Sequence, residues 1–240
     1  MQSLADSCEI LAGLSGGMKR GEAYDAYFVP ETFWYNRVLL RPGCAAPEGL
    51  PAVLAAEVRA GRLPPLLGWL DGDYPDTLLF PALKQAGYVP MTKQYAMYLS
   101  LEGWTASEAP PQVEAMRTEE AEAWSDMTAR GFGKPPETGG MVLLARARAA
   151  DFLLWRESGE MLGGTMLICK DGNAGIHEVS TLPEQRRRGI GQALVRRALD
   201  IAALGGCKRA TLQASELGLA LYRSLGFEEV GVIHNWILPK

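Results

Sequence analysis

The clearest chemical signal in the chain is an arginine-rich stretch that contains two closely spaced glycines. It runs from Glu184 to Leu199 and reads EQRRRGIGQALVRRAL. After Gly191, apolar residues recur at helical spacing, which predicts a helix that begins at the glycines. The first backbone N–H groups of a helix have no intrahelical partners and carry the positive end of the helix dipole, so they attract anions. The stretch therefore predicts a site for a pyrophosphate of a nucleotide-like cofactor.

The spacing of these glycines separates the turn from two common phosphate-binding loops. A Gly-x-Gly-x-x-Gly motif is absent because Ala193 and Leu194 follow Gly191, and no P-loop motif occurs in the sequence. The pattern that remains is Gln/Arg-x-x-Gly-x-Gly/Ala, which the residues from Arg186 to Gly191 satisfy. An ordinary helix start beside a solvated arginine run is the alternative interpretation.

This turn and a later segment together resemble the GNAT superfamily of acyl-CoA-dependent N-acyltransferases. The later segment, from Leu212 to Gly231, reads LQASELGLALYRSLGFEEVG. It is similar to the strand, short helix, L-Y-x-x-x-G-F motif and last strand of that family. Both motifs stand in the family's order, and the resemblance covers residues 112–240. It implies an α/β (α+β) GNAT fold, with a mixed, mostly antiparallel central sheet flanked by helices.

The same resemblance implies roles for individual residues. Tyr222 matches the tyrosine that stands near the CoA sulfur as general acid, and the alternative is a tyrosine that packs its helix on the sheet. Ser215 is expected either to hydrogen-bond the CoA arm or to cap the following helix. Backbone N–H groups of Val179 and Thr181 are expected to contact the acetyl carbonyl or the pantetheine arm. The expected cofactor-binding residues are Val179, Thr181, Arg186, Arg187, Arg188, Gly189, Ile190, Gly191, Gln192 and Ser215.

The general base is expected on the strand that leads into the turn. Glu178 is the candidate, because a carboxylate there takes the proton of an ammonium group directly or through water. Strand alternation equally allows a solvated or salt-bridged carboxylate that faces away from the cleft. His177 competes from the opposite strand face, although an isolated histidine is more often structural. Tyr222 and Glu178 are therefore the expected catalytic residues.

Composition and charge argue against several classes of function. The chain has 24 Lys and Arg against 28 Asp and Glu, a net charge of -4, so we expect no nucleic-acid partner. No apolar segment approaches the roughly 20 residues that a membrane helix needs, so we expect no membrane partner. Four scattered cysteines and two histidines show no metal-binding spacing, so we expect no metal. Without a recognisable signal peptide, a cytoplasmic monomer or homodimer is expected.

A linker divides the chain near residue 108. Glu102 to Pro111 reads EGWTASEAPP, which is rich in small and polar residues and closes with two prolines. Upstream, the hydrophobic pattern predicts three strands and two helices. The strands are 33–40, 66–70 and 94–101, and the helices are 51–60 and 77–85. We therefore expect one domain at 1–107 and a catalytic GNAT acetyltransferase domain at 108–240.

The first domain resembles a second copy of the GNAT unit. LKQAGYVPMTKQYAMYL, which starts at Leu83, is similar to the helix end, glycine-aromatic turn and strand from Leu221 to Ile237. The region from Ala45 to Arg62 has no pyrophosphate-turn motif. The domain is therefore expected to be a degenerate GNAT-like copy that does not bind acyl-CoA, and an unrelated small α/β domain is the alternative.

The second domain is predicted to alternate strands and helices around the pyrophosphate turn. Arg196, Arg197 and Asp200 are expected on the outer, polar face of the helix after this turn. A Gly- and Pro-rich loop is predicted at 131–140. The predicted strands are 113–116, 151–156, 161–169, the segment ending at Leu182, 209–213 and 229–238, and the other predicted helices are 119–128 and 217–225.

The expected reaction is the transfer of an acetyl group from acetyl-CoA to a primary amine by direct attack in a ternary complex. The acceptor is expected to be a small molecule or a peptide amine. Two alternatives remain. One is a non-catalytic regulatory module that binds acyl-CoA, and the other is a tandem GNAT transferase that uses another acyl donor.

Overall fold

A computed structural model describes residues 1–42, 49–72 and 76–239, without the side chains of residues 76 and 77. Seven α-helices and eleven β-strands lie in these ranges. The helices are α1 (Gln2–Ser15), α2 (Leu50–Arg59), α3 (Asp76–Ala86), α4 (Ala121–Phe132), α5 (Thr138–Ala147), α6 (Ile190–Leu204) and α7 (Leu219–Ser224). The strands are β1 (Gly17–Arg20), β2 (Tyr24–Phe28), β3 (Arg37–Leu40), β4 (Leu66–Leu70), β5 (Val89–Ser100), β6 (Val113–Ala115), β7 (Asp151–Glu157), β8 (Glu160–Lys170), β9 (Asn173–Thr181), β10 (Arg209–Ala214) and β11 (Glu228–Ile237).

All of the described strands join one mixed sheet. Its order is β1-β2-β3-β4-β11-β5-β10-β9-β8-β7-β6. Two parallel pairs, β3 with β4 and β9 with β10, interrupt an otherwise antiparallel pattern. Each parallel pair is joined by a crossover that contains a helix, α2 in the first half and α6 in the second. The predicted mixed, mostly antiparallel sheet flanked by helices is confirmed.

The two halves of the chain exchange strands at the middle of this sheet. β5 belongs to the first half and pairs with β10 of the second. In return, β11 of the second half pairs with β4 of the first, and β5 and β11 pair with each other. The predicted boundary at residue 108 lies in a segment, 101–112, that has neither helix nor strand. The sheet therefore runs without a break past this boundary.

Apolar helix faces cover both sides of the sheet. α6 buries Leu194, Ala198 and other residues at helical spacing against β8 and β9. On the opposite side, α1, α4 and α5 pack in one cluster that includes Leu11, Trp124 and Leu144. α2 and α3 pack on the first half around Trp69. Helix α1, although it begins the chain, thus packs together with helices of the second half.

Many predicted elements have bounds close to those expected. β4 has the predicted bounds, and α2 and α6 lie where the apolar periodicity places them. Ser158 and Gly159 form the β7–β8 turn, with φ of 51° and 86°. α3 and α7 are each followed by a glycine with positive φ, Gly87 and Gly226, as the helix-termination signal predicts. Part of the region searched for a pyrophosphate turn, residues 45–48, lies outside the described residues.

The prediction of a loop over 131–140 is wrong at both ends. α4 continues to Phe132, and α5 begins at Thr138. Glycines in the first turn of α5 serve close packing rather than chain reversal, because a Cβ on Gly140 would lie 2.9 Å from Thr32 Cγ2. Met141, Leu144 and Ala145 then supply the buried face that stabilises the helix.

The predicted strand 33–40 is too long. Only Arg37–Leu40 is a strand, because the N–H groups of Phe33 and Trp34 donate to the carboxylate of Glu137 instead of a neighbouring strand. This side chain comes from the segment between α4 and α5. A contact across about a hundred residues therefore overrides the local strand preference of these aromatic residues.

Asp200 lies on the same side of α6 as Arg196, as predicted, because both contact Trp104. Its side chain is buried, and it accepts hydrogen bonds from Trp104 Nε1 at 2.8 Å and from the N–H of Ser107 at 3.4 Å. Arg196 remains exposed and stacks over the Trp104 ring at 5.5 Å. The segment predicted as a linker therefore lies along α6 and covers part of its polar face.

Candidate active site

The strands β9 and β10 separate at the centre of the second half. They pair from Asn173 to Ile176 and from Arg209 to Leu212. Beyond these residues β9 continues to Thr181, while β10 continues beside β5 instead. This gap lies at the carboxyl ends of two parallel strands, where ligands bind in open α/β sheets.

Residues 182–189 connect β9 to helix α6, which begins at the predicted pyrophosphate turn. Gly189 is the N-cap, with φ 80° and ψ 0°, and no side-chain hydrogen bond caps this helix end. Arg187 also has a positive φ, 63°. A Cβ on Gly189 would meet no atom within 4 Å, so its glycine is required by backbone conformation rather than by space. The first N–H groups of α6 are therefore free of side-chain caps, as anion binding requires.

Gly191 lies one residue into α6 and faces the gap side of the helix. A Cβ at this position would lie 3.4 Å from Leu221 Cδ2 and 3.7 Å from Thr181 Oγ1, which are ordinary contact distances. An alanine therefore fits without disturbing its neighbours. A longer side chain has to extend between the turn, β9 and α7.

The three arginines of the turn have different surroundings. Arg186 donates to the carbonyl of Gly131 at 2.7 Å and ties the turn to the end of α4. Arg188 pairs with Glu157 at 2.7 Å. Arg187 is exposed, with no partner recorded among the described residues. Of the three predicted phosphate contacts, Arg187 is thus the side chain that no group in the described part of the chain holds.

Tyr222 lies in α7, and its ring packs edge-on against Phe227 at 5.9 Å. Burial raises the pKa of its hydroxyl well above the ordinary range, so the hydroxyl stays protonated at neutral pH. No hydrogen bond is recorded for this hydroxyl among the described residues. A Cβ on Gly218 would lie 2.9 Å from the ring, so glycine there makes room for it. The ring therefore packs in the core, as predicted for a structural tyrosine. Its hydroxyl remains available as a hydrogen-bond donor.

Ser215 follows β10 and is exposed at the open side of the gap. Its side chain makes no capping hydrogen bond to the short 3-10 helix Glu216–Gly218. The N-cap alternative therefore has no support from the described contacts. Val179 and Thr181 lie opposite, on the part of β9 that has separated from β10. Gln192 is exposed in the first turn of α6.

Glu178 occupies a β-bulge. Gly164 and Met166 of β8 pair with Ser180 and His177 of β9, so two residues of β9 stand opposite one of β8. Glu178 has φ 51°, a left-handed conformation that is uncommon for a non-glycine residue. The extra residue breaks the simple alternation of side chains along β9.

The bulge corrects the expected relation between Glu178 and His177. His177 lies beneath α1, since a Cβ on Gly175 would lie 2.6 Å from His177 Nε2 and 2.9 Å from Ser3 Cβ. Glu178 points to the same side of the sheet, where it contacts Tyr35 of the cluster that contains α1. The prediction of opposite faces is therefore wrong. Burial lowers the pKa of His177 to about 4, so this histidine is neutral.

Two residues that the sequence did not single out hold the Glu178 carboxylate. The Tyr35 hydroxyl donates to Oε1 at 3.1 Å, and Lys134 Nζ lies 3.2 Å from Oε2. Glu178 is thus salt-bridged, which is the alternative to a general base that the sequence analysis left open. The contact with Tyr35 spans 143 positions, so no local pattern points to it. Lys134 follows α4, in the segment that was predicted as a featureless loop.

A pocket of about 330 Å³ opens beside the start of α6. Gly189 and Gln192 line it together with Arg196, Glu108 and Pro110. The predicted linker thus forms a wall next to the pyrophosphate turn. Within the described ranges, no helix is both long and apolar enough to cross a membrane.

Comparison with known proteins agrees with this geometry. Residues 113–227 match the family described as Acetyltransferase (GNAT) family. A protein named mycothiol acetyltransferase from Beutenbergia cavernae is 32% identical over 134 residues, which are 50% of this chain and 45% of that relative. The chain therefore spans less than half the length of that relative.

Similarity in structure extends over both halves. A GCN5-related N-acetyltransferase from Kribbella flavida has a TM-score of 0.66 at 19% identity, covering 99% of this chain and 96% of that one. A tandem GNAT protein from the clavulanic acid biosynthesis pathway has a TM-score of 0.57 at 13% identity, covering 89% and 77%. At these identities the likeness concerns the fold alone. The family match covers the strand gap, the turn at α6 and Tyr222 together, so residues 113–227 form a domain of the GNAT acetyltransferase family.

Proposed function

We propose that the second half of the chain transfers an acetyl group from acetyl-CoA to a primary amine by direct attack in a ternary complex. The start of α6 carries the proposal, because Gly189 leaves an uncapped helix N-terminus beside the gap between β9 and β10. Such a helix end favours a pyrophosphate. The family match and the name of the curated relative support acetyl-CoA as the donor.

The residues around the gap fit the parts of this donor. The turn from Arg186 to Gln192 would hold the pyrophosphate through the first N–H groups of α6, with Arg187 as the free cation. Ser215 would hydrogen-bond the pantetheine arm. The N–H groups of Val179 and Thr181 would donate to this arm or to the acetyl carbonyl, since β9 no longer pairs with β10 there.

Acetyl-CoA supplies an acetyl group that is activated as a thioester. In the proposed reaction the Glu178 carboxylate takes a proton from the acceptor ammonium, which leaves a neutral, nucleophilic amine. The amine nitrogen then attacks the thioester carbonyl carbon, and the C–S bond breaks after the C–N bond has formed. The protonated hydroxyl of Tyr222 gives a proton to the leaving sulfur, and the proton that the new amide nitrogen loses restores this hydroxyl. We also propose that the protein is a cytoplasmic monomer or homodimer, and the described cysteines are free thiols.

The first test is calorimetric titration of acetyl-CoA into the wild type and the variants Gly191→Glu, Gly191→Ala and Ala52→Glu. Gly191→Glu places a carboxylate against the pyrophosphate site, and like charges in contact cost several kcal/mol, so affinity should fall at least about 100-fold. Gly191→Ala fits sterically and should retain binding. Ala52→Glu adds the same charge to the first turn of α2 and should change nothing. A wild type that does not bind acetyl-CoA refutes the proposal.

A non-catalytic acyl-CoA-binding module is the second candidate, and one observation favours it. The carboxylate proposed as base already pairs with Lys134 and accepts from Tyr35. Binding without turnover over a broad panel of amines would establish this candidate. The panel should include acceptors of the mycothiol class, because the curated relative carries that name. Binding of another acyl-CoA in preference to acetyl-CoA would favour the third possibility, a different acyl donor.

A further inference from the structure

We propose that Tyr35, a residue of the first half, is a positioning residue for Glu178, so that the first half completes the active site of the second. This inference rests on the proposed function, in which Glu178 takes the acceptor's proton. The observations that carry it are the 3.1 Å hydrogen bond from Tyr35 Oη to Glu178 Oε1 and the rigid attachment of the segment that bears Tyr35.

Glu178 needs an external restraint because of its backbone. It stands at a bulge with φ 51°, where a non-glycine residue is strained and persists only when its surroundings fix it. A bulge also re-aims its side chain, so the strand alone does not determine where the carboxylate points. The side chain is only 8% exposed. Tyr35 donates to Oε1, and Lys134 Nζ lies 3.4 Å from Oε1 and 3.2 Å from Oε2.

Of these two partners, Tyr35 is the fixed one. It is 1% exposed and packs in the cluster that contains α1, whereas the Lys134 side chain is 32% exposed. Burial, together with the negative charge of Glu178, raises the pKa of Tyr35 well above the ordinary range. Its hydroxyl therefore donates to the carboxylate at every pH at which an acetyl transfer would be measured.

The segment that carries Tyr35 is anchored to the second half by a separate contact. Glu137, which precedes α5, accepts from the N–H of Phe33 at 2.9 Å and of Trp34 at 3.0 Å. Glu137 is buried, with 6% of the residue exposed, so both hydrogen bonds are shielded from bulk water. Two consecutive backbone groups are thus held just before Tyr35. Contacts therefore lead from Glu137, just before α5, through residues 33–35 to Glu178. In this way the first half holds the proposed general base of the second half in place.

The test is a double-mutant cycle on acetyl transfer by the full chain. The variants are Tyr35→Phe, Glu178→Gln and their combination. Tyr27→Phe is the matched control, because Tyr27 is a second buried tyrosine of the same cluster. The amine probes are glycinamide, spermidine and a lysine-containing peptide, and CoA release is followed with a thiol reagent. Calorimetry with acetyl-CoA and thermal unfolding accompany each variant.

Tyr35→Phe should lower kcat about tenfold, because misplacement of a reacting group by a fraction of an ångström is costly. The KM for acetyl-CoA should stay unchanged. In the Glu178→Gln background, Tyr35→Phe should have less than about a twofold effect, since the two residues act as a unit. Tyr27→Phe should match the wild type. A merely structural role of the hydroxyl would lower activity equally in both backgrounds.

The outcomes separate this inference from the proposed function. No turnover by the wild type with any probe would refute the proposed function and, with it, the role of Tyr35. Wild-type turnover that Tyr35→Phe leaves unchanged would refute the positioning role alone. The same holds if the effects of Tyr35→Phe and Glu178→Gln simply multiply.

Discussion

Helices α6 and α2 begin with the same backbone and different chemistry. Gly189 before α6 has φ 80° and ψ 0°, and Gly49 before α2 has φ 78° and ψ 0°. Each helix crosses over between two parallel strands. Two positions after the glycine, however, α6 has Gly191 and α2 has Pro51, which has no N–H to offer an anion. The first half thus keeps the turn and lacks part of its binding capacity.

The helices that precede the central strands differ in the same way. Gly87 after α3 and Gly226 after α7 have φ of 97° and 92°. The next residue in each case donates its N–H at 3.0 Å to a carbonyl five positions back, that of Leu83 or of Tyr222. Leu83 of the first half therefore occupies the position that Tyr222, the proposed general acid, occupies in the second half. From this shared backbone with divergent side chains we propose that the two halves are copies of one duplicated unit.

The exchange of β5 and β11 gives the first prediction, which has the largest expected effect. Fragments 1–107 and 108–240, produced separately, should not unfold cooperatively, because each leaves sheet edges unpaired at its centre. Coexpressed, they should copurify and regain one thermal transition. Circular dichroism and calorimetric melting measure this. Two separately folded fragments would show that the halves are independent units and that the exchange is dispensable.

The second prediction transfers the residue of α2 into α6. Gly191→Pro should weaken acetyl-CoA binding at least about 100-fold, because a ring replaces an N–H at the proposed pyrophosphate site. The helix should persist, since proline is tolerated in the first turn and α2 already contains it there. Calorimetry measures the affinity.

The reciprocal variant is the control. Pro51→Gly should leave acetyl-CoA binding unchanged at one site per chain. It should reduce the free energy of unfolding by about 0.5–1 kcal/mol through the greater freedom of the unfolded chain. A second binding site in Pro51→Gly would show that proline alone separates the two turns. Unchanged affinity in Gly191→Pro would show that the difference between Gly191 and Pro51 does not determine acetyl-CoA binding.

The third prediction concerns the helices before the central strands. Tyr222→Phe should lower kcat for acetyl transfer about 100-fold, the usual range for loss of a general acid, without changing the Kd for acetyl-CoA. Steady-state kinetics and calorimetry separate the two quantities. Tyr88→Phe removes a buried hydroxyl from the equivalent turn of the first half and should leave both unchanged. An equal loss in both variants would indicate a packing defect instead.

The sequence was sufficient for the parts of the site that lie on one continuous segment. The turn from Arg186 to Gly191 combines local conformation with a motif, so strand, turn and helix could be predicted from spacing alone. The α7 helix and its following glycine were predictable for the same reason. These features depend on residues within a few positions of one another.

Features created by long-range contacts could not be predicted. The direction in which the Glu178 side chain points depends on a bulge and on Tyr35. The late start of β3 depends on hydrogen bonds to Glu137. The strand exchange follows no local pattern, because β5 and β11 would have the same alternation in either half. α5 was missed because its glycines were interpreted as loop signals, whereas Gly140 makes room for Thr32.

The last and smallest prediction concerns the outer faces of the two helices. The segment 104–107 covers Asp200 on α6, whereas Val53 on α2 is 57% exposed. Asp200→Asn replaces one accepting oxygen with a donor, so a hydrogen bond to Trp104 or Ser107 is lost inside the protein. The free energy of unfolding should fall by about 1–2 kcal/mol. Chemical denaturation measures it, with Asp126→Asn on the exposed side of α4 as control. If the two variants are equally stable, the segment 104–107 covers α6 without stabilising the protein. The difference between the outer faces of α6 and α2 then has no effect on the free energy of unfolding.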